Sequence, residues 1–210
     1  MHATIPAPPL ITRSVQDILK AIYDLQGGAA ANWVGTSALA ARLAQKPASV
    51  TNMVQRLARS EALLVEYMPY RGVRLRDAGT KVALEVLRHH RLIELYLAEA
   101  LGVPWDQVHA EAEALEHVIS EDLEERMAAA LSDPRLDPHG SPIPARDGRI
   151  DARPAVPLSC LNIGDHAGIV EVGDHDPELL RRLGSAGLYP GAHFTVVDRA
   201  LAGEIGRAHV

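Results

Sequence analysis

Apolar residues recur at helical spacing through the first third of the chain. In residues 14–26 they lie three and four positions apart, and Gly27 and Gly28 then end the predicted helix. Thr36 can cap a second helix, SALAARLAQ, which Lys46-Pro47 breaks before a third, PASVTNMVQRLARSEALL. Two helices separated by a break of about three residues are the pattern of a helix-turn-helix.

Two short β-type runs follow, at residues 64–67 and 73–75, on either side of a turn at residues 69–72. A basic-tipped hairpin directly after a helix-turn-helix indicates the wing of a winged helix. Asp77 then begins a long helix that runs to about residue 100. Two shorter helices are predicted after it, from Trp105 to about Ser120 and from Ser120 to about Leu131.

The pattern changes after residue 132. Prolines and glycines crowd residues 133–157, which predicts a linker that is not a packed element. From residue 163 to 197, short Val/Ile runs alternate with glycines around one helical segment, PELLRRLGSAG, as in a small SH3-like β-barrel. The last seven residues, EIGRAHV, match the translation of a common sequencing-adapter oligonucleotide. We therefore expect residues 204–210 to be an artefact that truncates the barrel.

The predicted fold class is mainly α, with an N-terminal winged helix-turn-helix, a helical dimerisation domain and a small C-terminal SH3-like β-barrel. The predicted bounds are 12–76 for the winged helix, 77–132 for the helical domain, 133–157 for the linker and 158–203 for the barrel. No apolar run approaches the roughly 20 residues of a membrane span, so no membrane partner is expected. The single cysteine, Cys160, excludes an internal disulfide and suits a reducing cytoplasm.

Charge is divided unevenly along the chain, although the net charge is only −6. Residues 42–81 hold eight basic and three acidic residues, whereas residues 82–133 hold three basic and twelve acidic ones. The first segment suits a polyanion and the second suits cations. The third helix and the wing are therefore a candidate surface for double-stranded DNA.

The expected DNA contacts differ in kind. Base edges or phosphates are the expected targets of Ser49, Thr51, Asn52 and Gln55, and phosphates alone are those of Lys46, Arg56, Arg59 and Arg71. Tyr70 on the wing either lies against the DNA backbone or packs on its own turn. Because a monomeric winged helix binds weakly, we expect a homodimer on an inverted repeat, formed through the long helices after Asp77.

Imidazoles and carboxylates recur in the acidic segment. His90 and Glu94 share a face of the long helix. A second set falls within an arc of roughly 100° on the next predicted helix, and it consists of His109, Glu113, Glu116 and His117. Two interpretations are open at this point: a divalent-metal site between packed helices, or the solvated polar faces of amphipathic helices.

Taken in order, these motifs resemble the diphtheria toxin repressor family of metal-dependent transcriptional regulators, including its manganese-responsive branch. The resemblance covers residues 14–197. It rests on DILKAIY (17–23), PASVTNMVQRL (47–57), HRLIE (90–94), VHAEAEALEH (108–117) and DPHGSPIP (137–144). The segment EVGDHDPELLRRLGSAGLYPG looks like the family's C-terminal domain, which is similar to small ferrous-transport accessory proteins of the FeoA type.

The resemblance implies two metal sites. The primary site falls on Asp17, Glu113, Glu116 and His117, and the ancillary site falls on His90, Glu94 and His109. In some relatives the C-terminal domain adds two ligands to the ancillary site. The matching positions by spacing are Glu171 and Asp174, which would otherwise belong to a solvated β-turn.

Carboxylates stand where the iron-responsive members of the family have Met and Cys, at the positions of Asp17 and Glu113. Since hard oxygen ligands suit Mn²⁺, the expected cofactor is Mn²⁺, then Fe²⁺, with Zn²⁺ or Co²⁺ binding in vitro. Lys20 occupies a position where the manganese branch often has glutamate. A cation cannot be a metal ligand, so we expect two separated sites and no closely spaced pair of metals.

The function implied is a metal-dependent repressor in which Mn(II) or Fe(II) acts as corepressor. Metal would stabilise a dimer that binds palindromic operators and represses metal-uptake genes. Two alternatives remain: a winged-helix regulator that senses a non-metal ligand, and a di-metal carboxylate enzyme. Such enzymes usually draw a Glu-x-x-His motif from each of two helices, a pair that this chain lacks, so no enzyme activity is expected.

Overall fold

The computed structural model describes residues 11–151 and 153–198, together with the backbone of residues 208–209. The chain divides into two units, residues 1–87 and residues 88–210. Most of the suspected artefact at 204–210 lies outside the described residues, as do the first ten residues.

The helices and strands have the following bounds. The first unit contains α1 (Arg13–Gln26), α2 (Thr36–Arg42), α3 (Pro47–Arg59), β1 (Val65–Met68) and β2 (Gly72–Leu75). Helix α4 (Asp77–Leu101) begins in the first unit and continues into the second. The second unit also contains α5 (Val108–Leu115), α6 (Glu121–Ala130), a short 3-10 helix (Leu158–Cys160), β3 (His166–Gly168), α7 (Pro177–Ser185), β4 (His193–Val196) and β5 (Ala208–His209).

The predicted helix-turn-helix is confirmed in the first unit. Its core joins apolar faces of α1, α2 and α3, with Ile18, Leu19, Ile22, Leu39, Val50 and Val54 almost completely buried. One detail of the prediction is wrong, because Thr36 does not cap α2. Gly35 occupies the N-cap position in an extended conformation, and no side chain there bonds to the helix backbone. Helix α2 therefore begins without a side-chain cap.

The predicted wing is also confirmed. Strands β1 and β2 pair antiparallel, with Val65 opposite Leu75. Val34 extends the hairpin by exchanging two backbone hydrogen bonds with Val73, at 2.8 and 2.9 Å. Gly72 permits this approach, since its φ is +112° and an added Cβ would lie 2.0 Å from the Val34 carbonyl oxygen. The wing is thus held to the body of the first unit by backbone contacts.

The helix after α4 is shorter than the sequence predicted. It ends at Leu115, Glu116 is its C-cap residue, and His117 lies in the following turn. The prediction that one helix carries both residues and runs to Ser120 is wrong. Ser120 is extended and caps α6, with its Oγ accepting from the backbone N–H of Leu123 at 3.3 Å, so the chain must leave α5 earlier.

The Pro-rich segment is partly a packed element. Residues 145–151 and 153–157 are mostly exposed, as a linker should be, but Asp137, His139, Ser141 and Ile143 are buried. The prediction of an unpacked linker is therefore wrong for residues 137–144. Gly140 explains the close packing there: its φ is +87°, and an added Cβ would lie 2.2 Å from the carbonyl oxygen of Val170.

The C-terminal part of the second unit contains a three-stranded antiparallel sheet in the order β3-β4-β5, with α7 inserted between β3 and β4. Asp176 caps α7 by accepting the backbone N–H groups of Glu178 and Leu179, both at 3.0 Å. In the described part of the chain, no helix has the length and apolar character needed to cross a membrane.

Candidate metal centre

Three predicted ancillary ligands converge in the second unit. His90 Nε2 lies 3.0 Å from Glu94 Oε1 and 3.1 Å from His109 Nδ1, and His109 Nδ1 lies 3.3 Å from the same carboxylate oxygen. His90 and Glu94 come from consecutive turns of α4 and His109 from the start of α5. The cluster is internal, because His90 is 2% exposed and Glu94 is completely buried.

The C-terminal region supplies a fourth candidate ligand. Asp174 Oδ2 lies 3.3 Å from His109 Nδ1, and candidate ligand atoms of His90, Glu94, His109 and Asp174 all lie within 4.8 Å of one another. Glu171, predicted beside Asp174, accepts a hydrogen bond from the Ser141 hydroxyl, and the cluster does not include it. His175, which the sequence analysis missed, places its Nδ1 3.2 Å from His109 Nε2.

The electrostatics of this cluster favour a bound positive charge. Burial alone would lower the pKa of His109, but the carboxylates of Asp174 and Glu94 raise it to about 9. Burial likewise acts to raise the pKa of Glu94, and hydrogen bonds from the surrounding imidazoles outweigh it and hold that pKa below its usual value. At neutral pH the cluster therefore keeps a proton on His109, at a position where a metal would require the neutral imidazole.

Glu116 connects the residues that were assigned to different sites. Its Oε2 contacts His90 Nδ1, and its Oε1 lies 3.3 Å from His117 Nε2. Since a carboxylate only accepts, His90 donates from Nδ1 to Glu116, and Nε2 is the ring atom that faces Glu94 and His109. Glu113 is partly exposed, and it forms a second group of candidate ligands with His90 and Glu116. Asp17 is partly buried on α1 in the first unit, and its role as a ligand stays a prediction.

His89 was also missed, and its role is structural. Its Nδ1 donates to the Glu116 carbonyl oxygen at 3.1 Å and its Nε2 lies 3.0 Å from Glu124 Oε2. Burial lowers the pKa of His89, but Glu124 more than offsets this, and the net effect is a raised pKa. Arg88 Nε pairs with the other oxygen of Glu124. These contacts fix α6 and the turn that carries Glu116 against α4.

A further buried group adjoins the cluster on the second carboxylate oxygen of Glu94. It consists of Glu94, Asp137 and His139, with candidate ligand atoms within 4.8 Å of one another. Burial, and then the Glu94 carboxylate, raise the pKa of Asp137 to about 7. The motif DPHGSPIP carries part of the family resemblance, but its prolines predicted a linker. The overlooked signal was an Asp and a His two residues apart directly before a glycine.

The predicted DNA-binding residues lie on accessible surface of the first unit. Ser49, Asn52, Arg56 and Arg59 are exposed along α3, Lys46 is exposed at its N-cap, and Thr51 and Gln55 are half-buried. This face carries positive charge at both ends and amide or hydroxyl groups between, which suits phosphate contacts around base contacts.

The wing adds a second accessible part of this surface. Tyr70 is fully exposed at its tip with a φ of +64°, so it does not pack on its own turn. The Arg71 guanidinium lies 4.8 Å from the centre of the Trp33 ring, which orders an otherwise flexible cation. The Arg74 guanidinium also lies 4.8 Å from the centre of the Trp33 ring. Its charge is offset by Glu66, whose Oε2 accepts two hydrogen bonds from it, at 2.7 and 2.9 Å.

Three family models match consecutive parts of the chain. Residues 10–73 match the iron dependent repressor N-terminal DNA binding domain, residues 76–145 its metal binding and dimerisation domain, and residues 156–206 the FeoA domain. The iron-dependent repressor IdeR of Mycobacterium tuberculosis (strain ATCC 25618 / H37Rv) is 36% identical over 195 residues, which cover 85% of this chain and 81% of the relative. The chain belongs to the diphtheria toxin repressor family.

Two other relatives agree with this assignment. The diphtheria toxin repressor of Corynebacterium jeikeium (strain K411) is 37% identical over 116 residues, 55% of this chain and 48% of the relative. A solved structure of a manganese-dependent transcriptional repressor in complex with manganese superposes with a TM-score of 0.79 and 36% identity, covering 88% and 84% of the two chains. As a member of the diphtheria toxin repressor family, this chain is a metal-dependent DNA-binding transcriptional repressor and not an enzyme, as predicted.

Proposed function

We propose that this repressor uses Mn²⁺ as its corepressor, with Fe²⁺ as the next metal in preference. Metal binding would stabilise a homodimer that binds a palindromic operator and represses genes of metal uptake. The observation that carries the proposal is the convergence of His90, Glu94, His109 and Asp174 in one buried cluster. When bound there, a divalent cation supplies the positive charge that the apo cluster obtains from a proton on His109.

The donor atoms support the choice of metal. The cluster offers two imidazole nitrogens and two carboxylates, with no sulfur ligand, and Glu113 and Glu116 beside it add only carboxylate oxygens. Hard oxygen donors suit Mn²⁺, whereas thiolate and thioether donors favour softer metals. Zn²⁺ and Co²⁺ fit the same donors and are expected to bind in vitro, because affinity order and physiological selectivity differ.

The primary site is proposed from the family pattern together with the charges of the second unit. Its proposed ligands are Asp17, Glu113, Glu116 and His117. Three carboxylates in one set repel each other until a cation neutralises them, so metal would favour the arrangement that holds them together. If that arrangement is also the one that binds DNA, metal and operator increase each other's affinity by the same factor.

Exposed apolar side chains support the homodimer. Leu101, Leu115, Val118 and Leu123 are 39% to 73% exposed on the helical part of the second unit. Burying such residues against a second copy removes apolar surface from water. A dimer also presents two α3 helices, as a palindromic operator requires.

Operator binding across metals tests the proposal. DNA would first be selected from random duplexes by the full chain in Mn²⁺, and binding then measured by fluorescence anisotropy with Mn²⁺, anaerobic Fe²⁺, Zn²⁺, Co²⁺ and a chelator. We expect inverted repeats among the selected duplexes and tight binding only with metal. Asp17→Ala should abolish the metal response and leave a folded dimer, while His193→Ala, an exposed histidine outside the cluster, should retain it.

Equal binding with and without metal would refute the metal dependence. Metal-dependent binding that Asp17→Ala leaves unchanged would refute the primary site alone. Titration calorimetry with Mn²⁺ separates this proposal from a regulator that senses a non-metal ligand, because such a regulator would show no heat of binding that saturates at a fixed ratio of metal to chain.

A further inference from the structure

Three buried polar atoms face one another beside the ancillary cluster. They are Glu94 Oε2, Asp137 Oδ2 and His139 Nδ1, and none has a hydrogen-bond partner among the described residues. Glu94 and His139 are completely buried and Asp137 is 5% exposed. Native proteins rarely leave such atoms without a partner, and three of them on residues whose candidate ligand atoms lie within 4.8 Å of one another indicate a ligand.

His139 and Asp137 are each oriented by hydrogen bonds to one atom of the side chain, which leaves the other polar atom directed toward the group. His139 Nε2 lies 2.8 Å from the Trp105 carbonyl oxygen, and since a carbonyl only accepts, Nε2 donates and Nδ1 faces Glu94. Asp137 Oδ1 accepts the backbone N–H groups of His139 at 2.8 Å and Ser141 at 3.0 Å. Hydrogen bonds to the far atom of each ligand are what orients metal-binding imidazoles and carboxylates.

The spacing fits a bound ion better than a direct hydrogen bond. His139 Nδ1 lies 3.7 Å from Glu94 Oε2, beyond hydrogen-bond distance. Two ligand atoms each about 2.1 Å from a metal lie roughly 3.0 to 3.4 Å apart, so a shift of a few tenths of an ångström would suffice. The Arg91 guanidinium, 3.6 Å from Asp137 Oδ2, offsets only one of the two carboxylates.

We propose that Glu94 Oε2, Asp137 Oδ2 and His139 Nδ1 form an additional site for a divalent transition-metal ion. Glu94 would then bridge two ions, with Oε1 facing His90 and His109 and Oε2 facing His139. The expectation from Lys20 that no two metals are closely spaced would then not hold at this cluster. Two nitrogen or oxygen donors beside the shared carboxylate suit Mn²⁺, Fe²⁺, Co²⁺ or Zn²⁺. The site requires no assumption about the metal dependence of DNA binding.

Anomalous scattering from crystals of the full chain grown in Mn²⁺ tests the site directly. We expect a manganese peak at bonding distance from Glu94 Oε2 and His139 Nδ1, in addition to the peak between His90 and His109. A map with a peak between His90 and His109 but no peak near Glu94 Oε2 would overturn the proposal, whatever the operator-binding measurements show.

Metal counting provides the second measurement. After equilibrium dialysis against Mn²⁺, Asp137→Asn should hold one fewer ion per chain than the unaltered protein, because the amide keeps the turn made by Oδ1 and loses the anionic Oδ2. Asp165→Asn is the matched control, since Asp165 also accepts a backbone N–H, from Asn162 at 2.7 Å, but lies outside the cluster. Chelator-treated melting curves verify that each variant folds.

His139→Gln removes the other ligand and should likewise lose one ion. The electron paramagnetic resonance spectrum of the unaltered protein should show magnetically coupled Mn²⁺, and Asp137→Asn should convert it to the spectrum of isolated ions. If both variants retain the full number of ions, the proposal fails.

Discussion

The salt dependence of operator binding gives a test of which cations on α3 and the wing face DNA. Arg56 is exposed on α3, and within the described part of the chain it has no carboxylate at ion-pair distance. Arg74, on the wing, is paired with Glu66 through two hydrogen bonds. Only Arg56 is therefore available to pair with a DNA phosphate. We expect Arg56→Gln to weaken operator binding and to flatten its salt dependence.

The size of the effect follows from the number of cations involved. Lys46, Arg56, Arg59 and Arg71 give four candidate phosphate contacts in one chain and hence about eight in a dimer. At about −0.9 per phosphate, the slope of log affinity against log salt should be about −7 for the unaltered dimer and about −5.4 for the variant. Between 50 and 200 mM salt the unaltered dimer should lose roughly 10⁴-fold in affinity and the variant roughly 10³-fold.

The measurement is fluorescence anisotropy with a labelled operator at fixed Mn²⁺ and increasing salt. The control is the double variant Arg74→Gln with Glu66→Gln, which removes an arginine from the wing but leaves the net charge unchanged. Its slope should match that of the unaltered protein within about half a unit. The assignment of phosphate contacts is refuted if the control flattens the slope as much as Arg56→Gln does, or if Arg56→Gln leaves it unchanged.

Three further changes test separate parts of the structure. Asn52→Ala should cost about 1–3 kcal/mol of operator affinity and relax base preference at one position, as measured on a set of operator variants, and an unchanged preference would contradict base contact. Gly140→Ala should lower the free energy of unfolding in urea by more than Gly187→Ala does. Both glycines have a positive φ, but only at Gly140 would the added Cβ lie 2.2 Å from a backbone oxygen. Equal losses of stability would exclude that contact. Glu124→Ala should destabilise the metal-free protein by about 3 kcal/mol, since it leaves the partly buried Arg88 guanidinium and the buried His89 ring without their shared carboxylate. Asp122→Ala, from an exposed pair, should change stability by under about 1 kcal/mol in the same calorimetric scan.

Local sequence signals predicted the parts of the fold that depend on local geometry. The apolar spacing of α1 and α3 and the glycine at the turn of the wing, Gly72, specify their elements almost without reference to the rest of the chain. The same holds for His90 and Glu94, because residues four apart on a helix share a face wherever the helix lies. The ancillary cluster was therefore predictable in two of its members before any packing was known.

What the sequence analysis missed depends on contacts between distant segments. Helix α5 stops at Leu115 because Ser120 is already committed to capping α6, and helical periodicity cannot show that competition. Asp137 and His139 look like linker residues, since prolines surround them. They are buried because Gly140 allows the Val170 carbonyl to approach, a contact across thirty residues of sequence. The family resemblance pointed to these positions, but only packing shows what they contact.

The C-terminal region packs against the segment before α5 through contacts that do not involve the metal ligands, and these contacts help to form the ancillary cluster. Trp105 packs on Tyr189 with ring centres 4.8 Å apart, and Asp106 pairs with Arg181 at 3.1 Å. These contacts hold the segment that delivers Asp174 to His109 before any metal binds. A ligand residue that is already in place loses little conformational freedom when the metal binds, so these contacts increase the affinity for metal. Conversely, each ion bound to Asp174 stabilises the seated arrangement, because binding to one conformation always shifts the equilibrium toward it.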